Sequence, residues 1–180
     1  MDKLIEVDAQ YREWISEVSK RFHQSQIKAA VKVNDEMLRF YWQLGKELHD
    51  RKDKFSYGQS FYKTISRDLR RELPDVKSFS ETNLRYMQKF AELYSEVSNF
   101  PQLGEDFRNE EIEPLFAIPW GHHKISIDKC NGNPKKAVFF VNQVIQNNWS
   151  RAVLLNFLDT DLYERQGKAI TNFNLTLPAI

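Results

Sequence analysis

Few side chains in this 180-residue chain stand at spacings that do chemistry. His122 and His123 are adjacent, so on a helix they point about 100° apart and cannot readily share one metal ion. The nearest carboxylate, Asp128, is five or six residues on, and a polar pair near a helix start is the plainer reading. Asp75-Val76-Lys77 has the letters of the acidic-x-lysine element of metal-dependent nucleases. That chemistry needs carboxylates and a lysine gathered on adjacent strands, and this triplet sits in a turn between helices. Cys130, beside Asn131-Gly132, reads as inert. There is no glycine-rich phosphate loop and no serine elbow. No catalytic residue, metal ligand or cofactor site is expected. What remains is electrostatic. Between Tyr62 and Phe90 stand seven cations and four anions, a local +3 in a chain of net +1. Lys63, Arg67, Arg70 and Arg71 suit phosphate contacts. Thr82, Asn83, Arg85, Tyr86 and Lys89 suit base edges, asparagine matching adenine and arginine guanine.

Two elements must position these side chains. Phe61, Ile65, Leu69 and Leu73 recur every fourth residue and share one face of a helix that breaks at Pro74. A second helix opens after Ser80, whose hydroxyl can accept from the amide of Thr82 or Asn83. Phe79 can pack onto Leu84 as a staple. Leu84, Met87, Phe90, Ala91 and Tyr94 form the apolar stripe of this second helix. Two helices joined by a turn, the second starting with small polar residues and continuing with cations, is the arrangement that puts a helix into a major groove. The same pair packs the core of many proteins that never touch nucleic acid.

The rest of the chain reads as helices too, and the fold class is all-α. Six glycines and six prolines favour long helices, and a near-neutral balance argues against a purely electrostatic DNA binder. A single cysteine excludes an internal disulfide and suits a reducing cytoplasm. No signal core and no long apolar run are present, so no membrane segment is expected. Tyr11, Trp14, Ile15, Val18 and Phe22 predict a helix from about residue 8 to 22, packed in a core or on a partner helix. Ile27, Val31, Leu38, Tyr41, Trp42, Gly45 and Leu48 predict another from about 25 to 50, a plausible homodimer element. Asn34 falls on that face and needs a partner for its amide. Gly45 costs roughly 1 kcal/mol in a helix interior and implies close approach of another helix. Residues 51–58 read as a charged loop.

The first unit thus covers residues 1–98. Residues 99–119 hold three prolines and a local −4, and read as a linker or irregular crossover facing away from DNA. Residues 120–170 form a helical subdomain. Trp120, Ile125 and Ile127 point inward in its first helix, and Val138, Val141, Val144 and Ile145 in its second. Val153, Leu154, Phe157, Leu158 and Leu162 line its third. Trp149-Ser150 before Leu154 repeats Phe79-Ser80 before Leu84. This leaves open a second helix-turn-helix-like unit, or two helices using the same cap. The tail, 171–180, alternates and reads as a strand or extended linker.

Several stretches together resemble the N-terminal domain of the YhcG-like family. They are YWQLGKEL at 41–48, SFSETNLRYMQKF at 78–90, IPWGHHKI at 118–125, NNWSRAVLLNFL at 147–158 and LYERQGKAITNF at 162–173. The resemblance runs from about Asp8 to Phe173. It implies a helix-turn-helix DNA-binding domain that precedes a PD-(D/E)xK nuclease-like domain. The tail at 171–180 resembles the junction into that domain, so no catalytic residue carries over. Only Thr82, Asn83, Arg85, Tyr86 and Lys89 transfer, as a recognition helix. The expectation is therefore a targeting module for double-stranded DNA, of a restriction or genome-defence type. A helical dimerisation or docking domain without nucleic-acid contact is the alternative.

Overall fold

The computed structural model describes residues 9–52, 54, 60–95 and 113–166. Among them are the α-helices and the 3-10 turn given below and a further helical stretch at residues 162–166, with no strand. The elements are α1 (Ala9–Lys52), α2 (Phe61–Glu72), the 3-10 turn Lys77–Phe79, α3 (Glu81–Leu93), α4 (Glu113–Ala117), α5 (Trp120–Lys129), α6 (Pro134–Asn147) and α7 (Arg151–Leu158). The expected tail at 171–180 and most of the segment 99–119 lie outside the described residues. Within that segment, Glu113–Ala117 is helical rather than irregular.

The two helices expected before residue 50 are one. No glycine or proline interrupts residues 9–44, and the Ser25 hydroxyl, at the expected start of the second helix, donates to the Arg21 carbonyl one turn back at 3.0 Å. The helix also runs on to Lys52, into the segment read as a loop.

Helix α3 is the hub. Asn83, Leu84, Met87, Gln88, Phe90, Ala91 and Leu93 are all buried along its length. It lies most extensively against α1, and also meets α2 and α5. Gly45 makes the α1 contact possible. A Cβ built there would stand 2.1 Å from the Met87 carbonyl oxygen, so only glycine fits. Trp42 meets Phe90 edge-to-face at 5.2 Å and stacks with Tyr94 at 6.2 Å. Helices on both sides of residues 99–112 feed this one core, from Leu38 to Leu158.

Polar groups fasten the seams. The Asn34 amide donates to the carbonyls of Phe116 and Ile118, both at 3.2 Å, which ties α1 to the α4–α5 connection. Arg39 bridges Asp35 and Glu113 at 3.0 and 2.8 Å and lies over the Phe116 ring at 4.3 Å. Ser80 and Ser150 cap α3 and α7, accepting from the amides of Asn83 and Val153. Asn133 caps α6, with Pro134 in the first turn.

Candidate nucleic-acid interface

On α2, Lys63, Arg67, Arg70 and Arg71 are all exposed. At about 100° per residue they share roughly 100° of the helix circumference, opposite Phe61, Tyr62 and Ser66, which are buried. Phe61 and Tyr62 seat the helix, and Ser66 donates to the Phe79 carbonyl at 2.7 Å. The cations are partly answered. Arg67 pairs with Asp68 at 2.9 Å, and Arg71 reaches Asp68 at 4.0 Å and Glu72 at 3.6 Å. The Arg67 guanidinium holds the Asp68 carboxyl below its ordinary range. Such solvent-screened pairs contribute little to stability and yield readily to a phosphate. Arg70 has no ion pair among the described residues.

On α3 the expected reading face is narrower. Thr82, Arg85, Lys89 and Glu92 are the exposed stripe, at spacings of three and four. Arg85 pairs with Glu81 at 2.8 Å and lies over the Tyr62 ring at 4.1 Å, so this stripe abuts the first turn of α2 beside Lys63. Asn83 is not on it. It is buried, its amide donates to the Ser78 carbonyl at 2.7 Å, and its oxygen accepts from the Trp120 indole at 2.9 Å. An asparagine held in that way fixes α3 to α5 and cannot read a base edge without unmaking both bonds. Tyr86 is half-buried, and its hydroxyl donates to Asp128 at 2.7 Å, which raises the phenol pKa. The connection between α2 and α3, residues 73–80, is also longer than the roughly 3–4-residue turn of DNA-binding helix pairs.

One cation was not visible in the sequence. Lys124 of α5 places its ammonium 5.2 Å from the Tyr86 ring, and Lys89 places its own 5.8 Å away. The two lysines are 35 positions apart, and only the packing of α5 on α3 brings them together. The histidines beside Lys124 are not a polar surface pair. Both are buried. His123 donates through Nε2 to the Leu115 carbonyl at 2.7 Å and accepts through Nδ1 from Tyr94 at 3.4 Å. Burial pushes its pKa down to about 4, against the raising effect of the Leu115 carbonyl. His122 meets the Trp149 carbonyl at 2.9 Å. The spacing placed Trp120, Ile125 and Ile127 inward, and all three pack partly buried against the core; it left out the histidines, because histidine is seldom scored as core. Here both rings instead bond carbonyls or hydroxyls of neighbouring segments. Cys130 is buried and its thiol is pushed up to about 11. Among the described residues no three His, Cys, Asp or Glu side chains gather as a metal site, and no helix is long and apolar enough to cross a membrane.

These features define an all-helical domain whose central helix is mostly core, with an arc of exposed cations on α2 beside it. Residues 17–165 match the DUF1016 N-terminal domain, and the chain belongs to that family, the N-terminal domain of the YhcG-like proteins. No curated protein and no solved structure matches it.

Proposed function

We propose that this domain is a targeting module that grips double-stranded DNA through its phosphate backbone, on behalf of a nuclease-like partner domain of a restriction or genome-defence type. One observation carries the reading. Four cations of α2 are exposed on one arc and continue, through Arg85, into the exposed stripe of α3. Lys63, Arg67, Arg70, Arg71, Thr82, Arg85 and Lys89 make the contact. Asn83 and Tyr86 position α3 instead. The recognition is therefore weighted toward phosphates, with sequence reading confined to Thr82, Arg85 and Lys89.

Fluorescence anisotropy with a labelled duplex tests it. Binding is expected at about 50 mM salt and weakens steeply by about 200 mM, since each neutralised phosphate adds about 0.9 to the log–log slope. Replacing Arg70 and Arg71 with alanine lowers that slope by about 2, uniformly across sequences. No binding at the lowest salt, or a slope unmoved by the double substitution, overturns the proposal.

A second reading, a helical docking domain without nucleic-acid contact, is favoured by a different observation. Every residue of α1 from 9 to 33 is exposed.

A further inference from the structure

The outer part of α1, residues 9–33, is 25 residues long and projects roughly 37 Å at about 1.5 Å per residue. Among the described residues nothing covers it, yet it is not a polar spacer. Tyr11, Trp14, Phe22 and Val33 are 53%, 54%, 60% and 63% exposed. Ile15 and Val18 join them. At about 100° per residue, these six and Ala29 fall within roughly 100° of the helix circumference. This stripe lies on the side of α1 away from Leu38, Trp42 and Gly45, so it is not an extension of the core face. Five β-branched residues and three serines stand in the arm, none a strong helix former. Most helical stability in proteins comes from packing an apolar face, and this face has no partner among the described residues.

We propose that the arm pairs with the same arm of a second copy of this chain, antiparallel, about a two-fold axis between Val18 and Phe22. The inference rests on the docking reading and not on DNA binding. Three observations select a second copy. First, the stripe is large at one end and small at the other. Tyr11, Trp14 and Ile15 precede the axis, and Ser25, Ala29 and Val33 follow it. Antiparallel pairing sets Tyr11 over the partner's Ala29 and Ile15 over the partner's Ser25, with Val18 against the partner's Phe22. Parallel pairing would oppose Trp14 to itself and leave a gap at Ala29. A two-fold interface demands this kind of self-complementarity. Second, the flanking charges suit the same register. Glu17 and Arg21 stand on one flank of the stripe on either side of the axis, so antiparallel pairing sets Glu17 within about one helical turn of the partner's Arg21. Third, the area is adequate. Aromatic side chains cover roughly 150–250 Å² each. Half of that for three of them, with the aliphatic groups, comes to on the order of 500–600 Å² per chain. Arginine and lysine stems along the flanks bring it toward the roughly 800 Å² per partner of a stable interface.

Light scattering on the full chain, read across concentration, tests the pairing. The expected mass is twice the 21.4 kDa of one chain, falling to one chain with Phe22→Glu. Orientation comes from oxidation of mixed single-cysteine variants. Ile15→Cys should cross-link to Ser25→Cys and not to itself, with the buried Cys130 a bystander. Self-linking of Ile15→Cys overturns the antiparallel register, and a mass of one chain at every concentration overturns the pairing. If the chain is monomeric, a dye that fluoresces on apolar surface separates two failures. Strong dye binding lost with Phe22→Glu leaves a docking face with another occupant. No dye binding means the face is covered within the chain, and the docking reading falls with the dimer.

Discussion

The two ends of α1 are one continuous helix with apolar stripes on opposite sides, and they differ in what covers them. From Leu38 to Leu48 the helix buries Leu38, Tyr41, Trp42, Gly45 and Leu48 against α3. From Ala9 to Val33 it buries nothing. Periodicity marks a face that excludes water. It does not say whether the cover is another helix of the same chain or another molecule. The inner half has a residue that only tight packing explains, a glycine where a Cβ would strike the Met87 carbonyl, and an asparagine that finds two carbonyls. The outer half has neither feature.

The largest expected effect sharpens this contrast. Gly45→Val should destabilise the fold by at least about 3 kcal/mol, because the obstacle is backbone and cannot rotate away. Ala30→Val, the comparator in the arm, should stay within about 0.5 kcal/mol when measured in the monomeric Phe22→Glu background. Urea unfolding followed by circular dichroism gives both numbers. Equal effects would mean that the arm is packed within its own chain after all.

Much of the body was legible in the sequence, for physical reasons that vary by residue. Leu84, Met87, Phe90, Ala91 and Tyr94 read as one stripe and are one, since apolar spacing reports burial directly. Ser80 read as a cap and is one, because its only nearby task is an orphan amide. Gly45 and Asn34 each announced a close neighbour, since each is costly where it stands without one. Asn83 misled, because an asparagine in a first helical turn looks the same whether it faces solvent or Trp120. Tyr86 misled in the same way. Its partner, Asp128, is 42 positions away, and no local pattern points to it. The cations of α2 read correctly as exposed, and their count said nothing of Asp68, which answers two of them. The histidine pair was missed as core because two adjacent rings can both be buried only when separate segments supply acceptors on both sides.

The second expected effect follows from that pair. His123 is buried and neutral, with a folded pKa of about 4 against an ordinary 6.5. Above about pH 6.5 both folded and unfolded chains leave it neutral, and stability does not depend on it. As pH falls from 6.5 toward 4 the unfolded chain takes up the proton and the folded chain does not. Stability should therefore fall by up to about 1.4 kcal/mol per pH unit across that window. His123→Gln should remove this slope from urea midpoints while lowering stability overall. A slope that persists unchanged in the variant would place the titration elsewhere.

The smallest effect falls on the boundary between the two halves. Asn34 is the first residue of α1 that is not exposed, and its amide holds the carbonyls of Phe116 and Ile118. Asn34→Leu keeps the side-chain bulk and strands those two acceptors, a loss of about 1–3 kcal/mol. Asn34→Asp should cost at least as much, because a carboxylate cannot donate and would face two carbonyl oxygens. The loss belongs to the α1–α4 seam alone. Hydrogen exchange should therefore rise at the α4–α5 connection and the turn of α1 around Asn34, while the α1–α3 contact around Gly45 stays protected. If exchange rises equally along all of α1, the helix behaves as one cooperative unit. The arm would then be stabilised from the body through the helix rather than by a partner laid along its own apolar stripe.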